Sequence, residues 1–394
     1  MPGQRVVVGL VGAKFAASFH ARNYRRVYGV DLRVKGVTAK TEESAESFAK
    51  QHGLEVAYPT FEAMLADPEI TLIDLCVPNH LHRPMAIQAA NVGKHVACEK
   101  PLTGVFTDRP SDEPGARTML DQAVAGTDEV LAAIGRNGVR LLYAENWVYA
   151  PSVQKANHLL AQADGTIMRI LAEESHSGSH SPYSKEWRYA GGGSLFHKGC
   201  HPLSGALFLK AQEGLRRRGT SIRPANVLAA VSNLTRIESF LAESERWVQL
   251  GWKDCEDWGT MVVTFDDGSV AQITAADVSL GGVQNWMTVY SSKAVIQCNI
   301  SPNTGMMTYA PAGHLFPSPD IREKVETTAG WQYTNPDEDW MNGFPNELQD
   351  FCEAVAHGRE PQSGAWLARD VVVVSYGAYL SAIAGRRVDL TPWM

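Results

Sequence analysis

Between residues 5 and 150 the chain alternates short, β-branched apolar runs with longer segments whose apolar positions recur at helical spacing. The continuous runs at Arg5–Val11, Leu32–Thr38, Leu72–Val77, His95–Cys98 and Val139–Tyr143 predict strands buried on both faces, with helices between them. Repeated βαβ units of this kind place the chain in the α/β class, with a doubly wound parallel sheet of Rossmann type over residues 1–150. The stretch 103–117, TGVFTDRPSDEPGAR, has no usable period and is rich in Pro, Gly and charge, which predicts a loop beside the strand ends.

A further helix is expected over Ser152–Ala163, and from Ile167 the pattern turns towards strands, with a Gly-rich break at 190–194. In TMVVTFDDGSVAQITAAD, Asp267-Gly268 separates two alternating runs and predicts a hairpin turn. Helical periodicity returns around ELQDFCEAVAHG and LARDVVVVSYGAYLSAIAG. Residues 151–394 therefore predict a second, α/β domain with a large, open, mostly antiparallel sheet.

Composition narrows the function class. A length of 394 residues suits two domains. Lys+Arg number 36 against 43 Asp+Glu, and no long basic run traces a phosphate backbone, so nucleic acid is not an expected partner. Cys76, Cys98, Cys200, Cys255, Cys298 and Cys352 are scattered without a C-x-x-C pair, which fits free thiols in a reducing cytoplasm. The opening MPGQRVVVGLVG reads as a first strand, not a signal peptide. No apolar run approaches the ~20 residues that span a bilayer, so no membrane location is expected.

The candidate chemistry begins at VVVGLVGAKFAASFHARNY, where glycine lies between a first strand and a first helix, the place at which a pyrophosphate meets helix N-terminal amides. The G-x-G-x-x-G pattern is altered here: after Gly12 its second and third positions are Lys14 and Ala17. Gly12, Ala13, Lys14 and Phe15 are the candidate phosphate loop. Further on, CVPNHLHRPMAIQAANVGKHVACEKPL carries Pro78, Asn79, His80 and His82 directly after the strand run Leu72–Val77, then Gly93-Lys94-His95-Val96 leading into Glu99-Lys100-Pro101.

On these residues the chain resembles the Gfo/Idh/MocA family of sugar and inositol dehydrogenases. The resemblance continues through Asn146 and Pro151 in AENWVYAP, Trp187, Gly191-Gly192-Gly193, Gly199, His201 and Glu256-Asp257, and so spans essentially the whole chain. It implies an NAD- or NADP-dependent oxidoreductase moving a hydride between a nicotinamide and a secondary hydroxyl or ketone of a sugar, inositol or glycoside. It also implies a homo-oligomer, a dimer or tetramer, assembled through the open sheet. Pro78, Asn79, His82, Glu99 and Lys100 are then cofactor-side residues. Lys100 lies between nicotinamide and substrate, where an ammonium favours alkoxide character. His201 occupies the place of the family's catalytic histidine, and imidazole suits a general base. Asn146, Tyr149, His176, His180, Trp187, Arg188 and His197 are the expected substrate-side residues. After the second strand, Ala39-Lys40-Thr41 offers no acid for ribose hydroxyls before Glu42, a slight lean to NADP over NAD.

Two departures matter. The motif's usual aspartate is His197, and the carboxylate expected three residues after the histidine is Ser204. With Lys100, Lys185, Arg188 and Lys198 nearby in sequence, the site is expected to be more positive and to suit a sugar bearing an anionic group. The histidine pairs spaced four apart raise a metal site, but the glutamate of H-E-x-x-H is absent and the family chemistry needs no metal, so none is assigned. Two other functions stay open: a redox-neutral glycosidase that oxidises, eliminates and re-reduces, and a non-catalytic dinucleotide-binding regulator.

Overall fold

A computed structural model describes residues 3–179, 181–301, 305–316 and 324–394. The first sheet contains β1 (Val6–Val11), β2 (Leu32–Thr38), β3 (Val56–Ala57), β4 (Leu72–Leu75), β5 (His95–Glu99) and β6 (Leu141–Ala144). All neighbours are parallel, in the order β3-β2-β1-β4-β5-β6, so the doubly wound α/β arrangement is present as expected. The expected strands lie within two residues of the observed ends, while β3 is a two-residue edge strand too short to leave a pattern. Strand order reverses around β1, which has β2 on one side and β4 on the other. That reversal opens a crevice at the carboxyl ends of the strands.

The stretch 103–117 is loop only as far as Asp112. Its side chain accepts from the Gly115 N–H at 2.8 Å and caps a 24-residue helix, Glu113–Arg136. Pro114 sits in the first turn, where a missing N–H breaks no helical bond. A helix start is therefore hidden in a segment whose polarity reads as loop.

The second sheet runs β12-β11-β7-β10-β9-β8-β15, built from β7 (Ile167–Ser175), β8 (Pro224–Ser232), β9 (Trp258–Phe265), β10 (Val270–Ala276), β11 (Gln284–Ser291), β12 (Val295–Ser301) and β15 (Val388–Asp389). A separate hairpin pairs β13 (Met307–Ala310) with β14 (Gly330–Tyr333). Within the large sheet β7 and β10 are parallel and the other neighbours antiparallel. The expected turn joins β9 to β10, with Gly268 at φ +85° and its N–H donating to Phe265. Ile170, Val227, Met261, Ile273, Met287 and Cys298 are buried on one face, while Arg169, Leu228 and Gln272 leave the other open. That alternation is what a sheet packed on one side requires.

The Ala365–Ala384 helix packs against the Glu113–Arg136 helix and β8, tying the two sheets together. Contrary to the expectation that nothing in the chain has transmembrane length, this helix is long and apolar enough to cross a bilayer, but 78% of its apolar window is buried inside the protein. Its apolarity is that of a core helix. All six cysteines are free and buried.

The turn from β1 into helix α1 (Phe15–Tyr24) depends on Gly12, which has φ +113° and whose N–H donates to the Thr38 carbonyl at 2.8 Å. A Cβ there would sit 2.2 Å from the Cys76 carbonyl oxygen. Gly12→Ala should accordingly lose about 2–4 kcal/mol of stability, combining a positive-φ penalty with overpacking. Urea unfolding measures it, and an unchanged midpoint would show that the turn has room after all.

Candidate active site

Glu99 and Ala144 are register partners on β5 and β6, so Lys100 and Glu145 leave neighbouring parallel strands at the same level. The Gly12 turn, the Val77–Asn79 segment after β4 and these two residues form the floor of the crevice. The facing wall is the segment Trp187–His201, which leads into the helix Cys200–Arg218.

Lys100 is half-buried and donates from Nζ to the His197 carbonyl at 3.1 Å. Its peptide bond to Pro101 is cis. Burial alone would pull the ammonium down, but Cys200, Glu99, Glu174 and Glu145 push it above the ordinary lysine range. Because burial raises the Cys200 thiol and keeps it protonated, the carboxylates supply that field at neutral pH. Glu99 accepts the Lys100 backbone N–H at 3.1 Å. Burial opposes its ionisation, yet His20, Lys100 and His82 hold its carboxyl down to about 2.

His201 is buried, with Nδ1 at 2.6 Å from the Glu145 carboxylate, itself fully buried. A carboxylate in that position accepts a hydrogen bond from Nδ1–H and leaves Nε2 as the acceptor, the geometry of a general base held by an orienting acid. The second Glu145 oxygen, Oε2, has no hydrogen-bond partner among the described residues. The carboxylate missing from the histidine motif is thus supplied from the other sheet. Sequence reasoning overlooked Glu145 although it stands in the AENWVYAP segment. The available signal was its place directly after a strand, beside Lys100.

His197 is neutral: burial, then Lys100 and Lys198, lower its ring to about 3, and Nε2 lies 3.2 Å from the Ala190 carbonyl. Lys198 is paired with Asp277 at 2.5 Å, and Ser194 donates to the same carboxylate. Lys185 is tied to the Leu250 carbonyl. The Arg188 side chain is 57% exposed, 3.5 Å from Asp108. The positive field expected to favour an anionic substrate is therefore not assembled: one ring is neutral, one lysine is neutralised and Arg188 faces outward.

Three other expected substrate residues are committed to packing. Trp187 is fully buried, edge-on to Tyr379 at 4.8 Å between ring centroids, and has no face open to a sugar. The Tyr149 hydroxyl donates to Asp350 at 2.8 Å and accepts from the Ser363 N–H. The Asn146 amide donates to the Asn342 carbonyl at 2.7 Å. His176 does line a polar wall, with Nε2 at 2.8 Å from Lys324 Nζ and Nδ1 accepting from the Gly178 N–H. Lys324 comes from a distant loop that no motif marks. His180 lies outside the described residues.

On the cofactor side, no side chain caps α1, whose first residue Phe15 is 64% exposed and follows Ala13 and Lys14. The free amides of its first turn, the cation of Lys14 and the Gly12 turn that admits no Cβ fit a dinucleotide pyrophosphate. Beyond β2, Ala39 is half-buried and Lys40 exposed, whereas the Thr41 hydroxyl is already used, accepting from the Ser44 N–H as a helix cap. Asn79 follows Pro78 and donates to the Ala190 carbonyl at 3.0 Å, linking the two walls. His82 is buried with its ring nitrogens 2.8 Å from the Pro101 carbonyl and 2.9 Å from that of Val77, so it holds the strand ends together instead of facing a ligand.

Comparison with known proteins agrees with this arrangement. The model described as oxidoreductase family, NAD-binding Rossmann fold, of the Gfo/Idh/MocA group matches residues 6–109, and the Gfo/Idh/MocA C-terminal domain model matches residues 153–297. Levoglucosan dehydrogenase of Pseudarthrobacter phenanthrenivorans is 29% identical over 52% of this chain and 51% of its own length. A D-xylose 1-dehydrogenase (NADP(+)) of Haloferax volcanii is 27% identical over 52% of this chain and 58% of its own. These matches span little more than half of each relative. The structure of GenD2 from gentamicin A biosynthesis in complex with NAD superposes with a TM-score of 0.78 at 23% identity, covering 99% of this chain and 97% of that one. With both halves matched in order, the chain belongs to the Gfo/Idh/MocA family of oxidoreductases, and its first sheet is the family's NAD-binding Rossmann fold.

Proposed function

We propose that the protein moves a hydride between a nicotinamide dinucleotide and a secondary hydroxyl or ketone of a neutral sugar or polyol. The observation that carries this reading is the juxtaposition of a protonated Lys100 with the His201–Glu145 pair at neighbouring strand ends. When bound, the nicotinamide supplies the two-electron chemistry. Lys100 stabilises the negative charge that grows on the substrate oxygen. His201 Nε2 takes the hydroxyl proton, while Glu145 fixes its tautomer and offsets the positive charge that then forms on the ring. His197, lacking charge, offers hydrogen bonding to a neutral hydroxyl in place of the absent aspartate. The pairing of Lys198 with Asp277 removes one of the charges on which an anionic substrate was expected.

The dinucleotide is held at Gly12–Phe15, with Lys40 at the adenosine end favouring NADP. The open face of the large sheet, where Leu228 is exposed, is assigned to self-association as a dimer or tetramer, and the six buried thiols suit a reducing cytoplasm.

A panel of sugars, inositols and glycosides assayed with NAD and NADP should give nicotinamide absorbance changes that match product stoichiometrically. Product without net nicotinamide turnover would instead mean redox-neutral glycoside cleavage, and no product with any member would leave a binding protein. Lys100→Met and His201→Ala should each lower kcat by ~100-fold or more, and Glu145→Gln by ~10- to 1,000-fold, with KM little changed. Wild-type turnover in any one of them removes that residue from the mechanism.

Lys40→Asp should weaken NADP(H) by ~10- to 100-fold, from about 1.5–3 kcal/mol for a charge-assisted hydrogen bond, while sparing NAD(H). Fluorescence titration of the reduced cofactors reads this directly, and equal losses for both would place Lys40 away from any 2'-phosphate.

A further inference from the structure

Beneath the floor of the crevice lies a second histidine that the reaction as described does not use. His20, on the second turn of α1, is fully buried. Its Nδ1 is hydrogen-bonded at 2.8 Å to Asp74 Oδ2 on β4, and its Nε2, which has no hydrogen-bond partner among the described residues, lies within ion-pair distance of Glu99 Oε1 at the end of β5, 3.3 Å away. Tyr24 donates to the same Asp74 oxygen at 2.9 Å, and the Cys76 sulfur lies 3.4 Å from Nδ1. Glu99 in turn accepts the Lys100 backbone N–H through its other oxygen. A continuous path of polar contacts therefore runs from the helix that follows the cofactor turn to the lysine of the active site.

A neutral imidazole between two carboxylates can offer its one N–H to only one of them, whereas an imidazolium donates to Asp74 and pairs by charge with Glu99. We propose that His20 is a positioning residue for Lys100: as an imidazolium bridging Asp74 and Glu99, it holds the Glu99 carboxylate against the Lys100 backbone and so fixes the ammonium in the crevice. This rests on the dehydrogenase reading of the same site. Burial alone would drive the ring neutral, but the Asp74 carboxylate beside it raises it well above the ordinary histidine range. The charged and titratable groups facing it are Asp74 and Cys76 from β4 and its exit, Glu99 from β5, Tyr24 from α1 and Glu347 from the Phe344–His357 helix. Burial keeps Cys76 and Tyr24 protonated. It also raises Glu347 well above the carboxylate range, so that acid does not add a third negative charge. The ring thus stands between two carboxylates, one of which carries Lys100.

Without the imidazolium, Glu99 loses the first of the contacts that keep its carboxyl low, and it protonates at higher pH. His20→Gln keeps a similar volume and one donor but no charge. Its kcat should fall ~10- to 100-fold, the size expected when a reacting group is displaced, with KM and cofactor affinity within about threefold of wild type. Adding Asp74→Asn removes the carboxylate left unpaired and should recover a large part of the lost kcat. That charge-balanced double variant also serves if the single one does not fold.

A stability measurement tests the charge without any turnover. A group whose folded pKa is raised stabilises the protein below its unfolded value, near 6.5, and that contribution is lost as pH rises through the folded value. The urea-midpoint gap between wild type and His20→Gln should therefore be widest near pH 6 and narrow towards pH 10. A gap that is flat or widens with pH, or a kcat unchanged from wild type, would overturn the proposal. If wild type shows no hydride transfer, the functional reading fails, and the stability gap still reports whether His20 is charged.

Discussion

An ammonium half-buried at the end of a strand persists only where opposite charge meets it, and at Lys100 that charge arrives from several elements. Glu99 precedes it on β5, Glu145 follows β6 and Glu174 reaches it from β7 in the other sheet. None of the three is its neighbour by helical spacing. The parallel register sets two of them side by side, and closure of the second sheet over the crevice brings the third. A protonated lysine at this point is therefore a property of the assembled fold, and it would be lost if either sheet were displaced.

The altered histidine motif acquires a different meaning in that setting. The aspartate position holds a ring that burial and two lysines keep neutral, so the local charge is restored elsewhere. Glu145 gives His201 its carboxylate from the opposite wall, and Asp277 neutralises Lys198. The charge balance of the site is kept while its distribution changes: acid is withdrawn from the segment beside the substrate and concentrated at the strand ends. A wall of neutral imidazole and paired lysine presents hydrogen-bonding groups with little net charge.

Much of the fold was legible because parallel strands covered on both faces leave unbroken apolar runs, and the strands of the first sheet were found within two residues of their ends. The β9–β10 turn was equally clear from Asp267-Gly268. What escaped was context. The cap at Asp112 hid a helix inside a polar stretch, and the Ala365–Ala384 helix looks like a spanning segment only when its partners are ignored. In the site, Lys100 and His201 were readable as candidates because they sit in motifs. Glu145, His20 and Asp74 were not, because each matters through a residue distant in the chain, and a strand register is needed to bring them together. Trp187, Tyr149 and Asn146 stand in matching segments too, yet all three are buried, with the Tyr149 hydroxyl and the Asn146 amide nitrogen bonded within the protein.

Under the proposed roles, the two buried histidine–carboxylate contacts in the crevice differ in what the second ring nitrogen meets. At His201 one nitrogen meets Glu145, and the other is left as an acceptor. At His20 both nitrogens lie against carboxylates, so a proton leaving the ring would leave two buried acids facing one donor. The first ring can pass a proton to and from a ligand because its second nitrogen has no fixed partner. The second cannot, since every release of its proton costs the desolvation of an unpaired carboxylate. Position relative to the strand ends decides between them: a histidine above the sheet edge exchanges protons with what binds there, and one below it holds the edge in place.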